Sequence, residues 1–200
     1  MQLFLNATSP YARLARIILL EKGLADDVTL RWCDPWADDS GLLAVNPAGR
    51  IPALVTDDGT TLSESMLIAV YLDSVSPGVP MMPASQLVDV LHLAGLGQNL
   101  MDAAFATVIA RKHDGAEIDQ RELGRRRQRA IQRITQQLGD ELHENQLTPS
   151  ITLGEIATAV ALDYLAFRLP EVNWKKEHPA LQEWHAAVIT RDSFQQTAFV

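Results

Sequence analysis

The sequence predicts an α/β domain of about the first 76 residues followed by an all-helical domain. Three observations carry this. The first 75 residues read strand, helix, strand, short helix, two strands, helix. Three prolines and a glycine then crowd into residues 76–83. From there to the end the chain reads as helices, with apolar residues recurring at the spacings of three and four that a helix face requires. The expected division is an α/β domain over 1–76, a linker over 77–84 and a helical domain over 85–200. Two hundred residues, 47% hydrophobic and 21% charged, bury a sizeable core without metal or disulfide staples.

Residues 2–5 form a short first strand. Leu14, Ile17 and Ile18 give residues 11–21 one apolar helical stripe, and Gly23 supplies the stop. Alternation over 28–33 predicts a second strand that carries Cys33 as a buried thiol, followed by a loop through Pro35. Residues 42–45 make at most one helical turn before Asn46-Pro47. Residues 53–56 and 60–62 flank Asp57-Asp58-Gly59 as a hairpin, and Ser63 is expected to cap a helix running through Leu72.

After the proline-rich stretch, Leu87, Leu91, Met101, Phe105, Val108 and Ile109 predict one long helix, and Leu123, Ile131, Ile134, Leu138 and Leu142 a second. Thr152-Leu153-Gly154-Glu155 is a capping box. The threonine hydroxyl reaches the third helical amide while the glutamate reaches back to the cap amide, opening a helix to about Arg168. His178-Pro179 precedes a last helix bearing Leu181, Trp184 and Val188.

A net charge of −8 argues against a protein that tracks nucleic-acid phosphates. Arg125, Arg126, Arg127, Arg129 and Arg133 on one helix read as a solvated face, outnumbered by acids elsewhere. Trp32, Trp36, Trp174 and Trp184 are too scattered for a base-stacking platform. The five histidines, His143 among them, lack metal-ligand spacing, so no metal is expected. A single cysteine permits no intrachain disulfide. The N-terminus has no leader pattern, and the most apolar later segments are interrupted by Asp73, Asp102 and Asp163. The expectation is a cytoplasmic protein that does not engage a membrane.

Three places can carry chemistry. Ser9, with Pro10 in the first helical position, puts a hydroxyl among free amides at the positive end of a helix. Such a place stabilises an anion. Serine without a general base is a poor nucleophile, so its active role is to donate a hydrogen bond to a borrowed thiolate; most Ser-Pro helix starts are caps and nothing more. Ile51-Pro52 enters the hairpin as an edge proline or a cis turn, and on the residues alone the edge proline is the better reading. Ser63-Glu64-Ser65 opens the next helix. Its amides and the Ser65 hydroxyl form a carboxylate site, and an inward Glu64 would meet an ammonium. An extended ligand with a central thiol, a backbone amide and an amino-acid head suits this order of parts.

The chain resembles the glutathione transferases, in their bacterial branch with a Ser-Pro active turn. The likeness rests on Thr8 to Arg13, Asn46 to Pro52 and Leu62 to Ser65 leading into Ile68 to Leu72. It continues through Met101-Asp102-Ala103-Ala104, Thr152 to Glu155, Phe167-Arg168, His178 to Leu181 and Arg191 to Phe194. The resemblance implies a thioredoxin-like N-terminal domain (βαβ-ββα), an all-α C-terminal domain and a homodimer. It implies that Ser9 faces the sulfur of glutathione, with Asn6 or Thr8 sharing or taking over that bond. Ile51 would pair with the cysteinyl backbone beside a cis Pro52, Glu64 and Ser65 would hold the γ-glutamyl end, and Arg50 the glycyl carboxylate. Met101, Phe105 and Arg111 are the expected lining of a pocket for a hydrophobic electrophile between the domains. Departures from the family pattern are Asp192, where proline is common, and Asp163, where relatives often carry glycine. The alternatives are a non-catalytic binding or scaffold protein of the same fold, or a glutathione-dependent reductase or dehalogenase; disulfide reduction would want cysteine at position 9.

Overall fold

The computed structural model describes residues 1–142 and 150–200; His143 lies outside them. The chain divides into two compact units, Met1–Met81 with Asp192–Val200, and Met82–Arg191. The final segment thus groups with the first unit, whereas the sequence places it with the helices of 85–200.

The first unit is built on a four-stranded mixed sheet in the order β2-β1-β3-β4. β1 (Gln2–Leu5) pairs in parallel with β2 (Thr29–Trp32) through α1 (Pro10–Glu21), which is a βαβ crossover. β3 (Ala53–Val55) runs antiparallel to β1, with Phe4 opposite Ala53, and antiparallel to β4 (Thr61–Leu62), with Leu54 opposite Leu62. Between them stands α2 (Ser40–Val45), capped by Asp39. The hairpin turn is tied by the Thr56 hydroxyl, which donates to Asp58 Oδ1 and to the Thr60 carbonyl. α3 (Ser65–Val75) follows, and α9 (Asp192–Gln195) packs on α1. Leu3, Leu5, Leu14, Ile17, Ile18, Leu54, Ile68 and Leu72 are wholly buried between sheet and helices. Gly23 ends the first helix with φ +66°, a conformation that favours glycine.

Four expectations are corrected here. β2 is an edge strand with every residue exposed, so its alternation does not mark a buried face. Cys33, one residue past it, is only half-buried. The cap of α3 is Glu64, whose side chain accepts from the Leu67 amide at 3.2 Å, and the helix runs three residues beyond Leu72. Ile51-Pro52 is cis, as the family resemblance implies and against the edge proline read from the residues alone, and Ser63-Glu64 is cis too. The proline-rich stretch also does more than link. Val79 O accepts from Lys22 Nζ at 2.9 Å, the Met81 amide donates to Asp73 Oδ1 at 2.9 Å, and Met81 is buried.

The second unit holds α4 (Leu87–Asp114), α5 (Glu122–Glu141), α6 (Leu153–Arg168), α7 (Trp174–Glu177) and α8 (Pro179–Val188). α4 packs against α5 and α6. The span 84–114 is long and apolar enough by length and composition to cross a membrane, yet in this unit it is the central helix. At Gly97 its backbone comes so near α6 that a β-carbon there would stand 2.6 Å from the backbone of Ala157 and Thr158. α6 opens with both bonds of the Thr152–Glu155 capping box, and it is buried along most of its length. Leu181, Trp184 and Val188 are buried as expected. Leu87, Leu91 and Leu123 are not: they are exposed, and Val90, Ala94 and Leu100 form the inward stripe of α4 instead. The arginine-rich helix pairs within itself, Arg129 with Glu122 at 3.0 Å, while Asp73 is taken by Lys22 in the other unit. Asp163 meets buried His185, with Oδ1 2.8 Å from Nε2.

Candidate functional site

Three chain segments converge at one end of the sheet because of how its strands pair. β1 leads at its C-terminal end into Asn6 to Ser9. Since β3 is antiparallel to β1 and begins opposite Phe4, Ile51-Pro52 stands beside that turn. β4 is antiparallel to β3 in turn, so the residues after Leu62, Ser63 to Ser65, come to the same edge.

Asn6 builds the first segment. Its Oδ1 accepts from the amides of Thr8, at 3.2 Å, and Ser9, at 2.9 Å, the local bond by which asparagine fixes a turn. Ser9 is then extended, with φ −80° and ψ 124°, and its Oγ accepts from the Ala12 amide at 3.2 Å. Pro10 holds the first helical position, and no acid stands in the first turn. Ser9 is 8% exposed. A hydroxyl has one hydrogen to give and two lone pairs to receive. Capping uses a lone pair, so the Ser9 hydrogen is left to donate toward an anion at the positive helix end.

The second segment is held by another asparagine. Asn46 Nδ2 donates to the Arg50 carbonyl at 2.8 Å, and its Oδ1 accepts from the Ala48 amide at 3.2 Å. This fixes the loop that delivers Ile51. The sequence marks Asn46-Pro47 as a helix end, but the grip on Arg50 O depends on a side-chain direction that no spacing reveals. Pro52 is buried and Arg50 exposed. The Ile51 amide and carbonyl enter no hydrogen bond among the described residues.

The third segment starts α3. Glu64 is exposed and turns its carboxylate onto its own helix. Ser65 is 1% exposed, and its Oγ has no hydrogen-bond partner among the described residues. A buried hydroxyl left without a partner costs about 1–3 kcal/mol, so such groups mark places where something else binds. Here it stands at the amide-rich end of an eleven-residue helix.

The remaining candidates belong to other elements. Met101 has no exposed surface and belongs to the core of the helical unit. Phe105 is half-buried. Arg111 is committed to two acids, Asp119 at 2.6 Å and Glu171. Cys33 Sγ lies 3.7 Å from the Leu5 carbonyl, and burial first, then Asp39, push its thiol up. The chain's own cysteine is therefore not an activated one. Among the described residues no group of three or more histidine, cysteine or acidic side chains is arranged to hold a metal ion.

A mixed four-stranded α/β unit with a capped serine turn, a cis-proline loop and a helix start at one sheet end, joined to an all-helical unit, is the glutathione transferase fold. The chain belongs to the glutathione S-transferase family: residues 8–75 match the model of its N-terminal domain and residues 120–187 that of its C-terminal domain. Among its relatives is the GST-like protein YibF of Escherichia coli K12, 32% identical over 200 residues and 98% of each chain. Similar solved structures include a glutathione transferase family member from Pseudomonas fluorescens Pf-5 with bound glutathione. It is 33% identical, with a TM-score of 0.89 over 100% of this chain and 98% of that one. A glutathione S-transferase from Methylobacillus flagellatus KT with glutathione bound is 30% identical, with a TM-score of 0.88 over 100% and 99%.

Proposed function

We propose that this protein is a glutathione transferase, which binds glutathione across the sheet end just described and activates its thiol for attack on a hydrophobic electrophile. The observation that carries the reading is the buried, partnerless Ser65 hydroxyl at the head of α3. It offers the α-carboxylate of the γ-glutamyl group a donor beside free helix amides. The bound glutathione of two similar structures supports the same ligand here.

In this reading the open backbone of Ile51 pairs with the cysteinyl residue as an added strand does, Glu64 takes the ammonium and Arg50 the glycyl carboxylate. The sulfur then falls to the Ser9 turn. Ser9 donates its hydroxyl hydrogen to the thiolate, and the helix end adds its positive pole. A free thiol titrates near pH 8.5, so lowering it toward 7 multiplies the nucleophile at working pH. With an aryl halide as acceptor, a carbon–sulfur bond forms, the carbon–halogen bond breaks, halide leaves, and the thiol proton has already passed to water. The Oδ1 of Asn6 is spent on its turn, which leaves its Nδ2 and the Thr8 hydroxyl as further donors beside Ser9. The working protein is a homodimer in the cytoplasm, a reducing place that suits a lone free cysteine.

Isothermal titration with glutathione, paired with turnover of a general aryl halide, tests this. Wild type binds at millimolar glutathione or tighter. Ser9→Ala keeps binding and loses roughly 10²-fold in kcat, the scale of one removed anion donor. Ser65→Ala weakens binding. No binding by wild type overturns the proposal, and binding without turnover of any acceptor tried selects the non-catalytic carrier instead.

A further inference from the structure

The C-terminal segment Asp192–Val200 lies along α1 and is tied to it at three levels. Near the start of the helix, the guanidinium of Arg13 donates from Nε to Thr197 Oγ1 at 3.4 Å and from Nη2 to the Phe194 carbonyl at 3.3 Å. It also stacks 4.5 Å from the Phe199 ring centre and 5.7 Å from that of Phe194. One turn on, Arg16 Nη2 donates to the Gln196 carbonyl at 3.3 Å. At the far end the Ser193 hydroxyl donates to Glu21. Arg13, Ser193, Phe194 and Thr197 are all at most 5% exposed, which is unusual for an arginine. Thr197 is itself fixed by donating to the Ser193 carbonyl at 2.8 Å.

The direction of the first tie matters. The backbone amide of Arg13 donates to the Ser9 carbonyl at 3.0 Å, so the residue whose side chain is clamped by the tail is bonded through its main chain to the residue that faces the thiol. A planar guanidinium with several donors in fixed directions sets both the axial position and the rotation of its helix, which an apolar side chain of equal size does not. We propose that Arg13 is a positioning residue, and that the C-terminal segment, by gripping it, sets the place of Ser9 relative to the rest of the site. The inference rests on the reading of Ser9 as thiolate donor. A displacement near 1 Å at such a donor is enough to lose much of its effect.

The test is made on the full chain, with glutathione as the probe. The thiolate of bound glutathione is titrated by ultraviolet absorbance between pH 5 and 9, and affinity is measured separately by calorimetry. In Arg13→Gln the apparent thiol pKa rises by about one unit, so thiolate at pH 7 falls roughly fivefold from a wild-type value near 7, while the dissociation constant changes by less than about threefold. Thr197→Val moves the titration the same way by less, and Arg13→Lys restores part of it. Should Arg13→Gln fail to fold, Thr197→Val decides. Wild type that binds glutathione and lowers its thiol pKa, with the titration unmoved in these variants, overturns this inference alone; wild type that does not bind glutathione overturns the functional reading with it.

Discussion

Lys22 Nζ stands 2.8 Å from Asp73 Oδ1, and the two side chains are 1% and 9% exposed. The pair joins the end of α1 to α3 and holds the strap after it, because Lys22 also donates to Val79 O and Asp73 accepts from the Met81 amide. Breaking one partner of a buried pair leaves the other charged and dry, which costs about 3–5 kcal/mol. Asp73→Ala therefore lowers the urea midpoint sharply, and Lys22→Met with Asp73→Leu recovers most of the loss. A single variant within 0.5 kcal/mol of wild type, on the ordinary scale of surface changes, would show that water reaches the pair.

Gly97 and Gly154 are where α4 and α6 come closest. A β-carbon at Gly97 would meet the backbone of Ala157 and Thr158 at 2.6 Å, and one at Gly154 would meet the Val90 carbonyl at 2.8 Å. Alanine ordinarily stabilises a helix interior by about 1 kcal/mol over glycine. Here the neighbour is backbone and cannot turn aside, so Gly97→Ala destabilises, by about 1–3 kcal/mol as overpacking does. Gly95, on the same helix with nothing within 4 Å of its β-position, supplies the control: Gly95→Ala raises the thermal midpoint. Equal signs for the two would refute the packing account.

That contrast shows what a sequence discloses. Gly95 and Gly97 read alike as residues in an apolar helix, and only the approach of Ala157 separates them. Period and caps were legible: the βαβ-ββα order, the Thr152 box and the Ser9 cap all express local rules that act within four residues. Leu87 and Leu91 on α4 and Leu123 on α5 misled because a helix in a bundle has apolar residues on more than one face, and spacing does not say which face has a neighbour. Cys33 misled in the same manner, since alternation cannot distinguish an edge strand from a central one. At the candidate site, residue type and order single out Ser9, Ile51 and Ser65, and strand pairing brings their segments to one sheet end. That Glu64 caps its own helix, that Asn6 Oδ1 is spent on a turn, and that a tail 181 residues away grips Arg13 are facts of side-chain direction and long-range closure, for which linear pattern has no term.

Cys33 gives a prediction in pH. Burial and the nearby Asp39 hold its folded-state pKa above the ordinary thiol value. The folded protein therefore keeps the thiol proton at a pH where the unfolded chain has lost it. The contribution is neutral well below the unfolded pKa, and stability declines as pH rises through that value toward the folded one. Iodoacetamide labelling at pH 7.5 will be slower in the native protein than for free cysteine, will accelerate between pH 8 and 10, and will reach the free rate in urea. Rapid native labelling at pH 7 would place the thiol in a different environment.

Asp163 stands where the family resemblance expects glycine, and its partner explains how it is tolerated. His185 is 2% exposed, with Trp174 edge-on at 5.2 Å between ring centres, and its Nε2 lies 2.8 Å from Asp163 Oδ1. The contact is off the line of a hydrogen bond, so what it supplies is chiefly the attraction of a carboxylate for the imidazole edge. Asp163→Ala removes that attraction from a buried ring nitrogen and is expected to destabilise the fold, by less than the loss of a hydrogen-bonded partner costs. His185→Phe removes the need for the acid, so adding Asp163→Ala to it costs much less than Asp163→Ala alone. A double-mutant cycle in urea measures that coupling. A coupling below about 0.5 kcal/mol, the scatter expected of independent sites, would mean that Asp163 and His185 are neighbours without being partners.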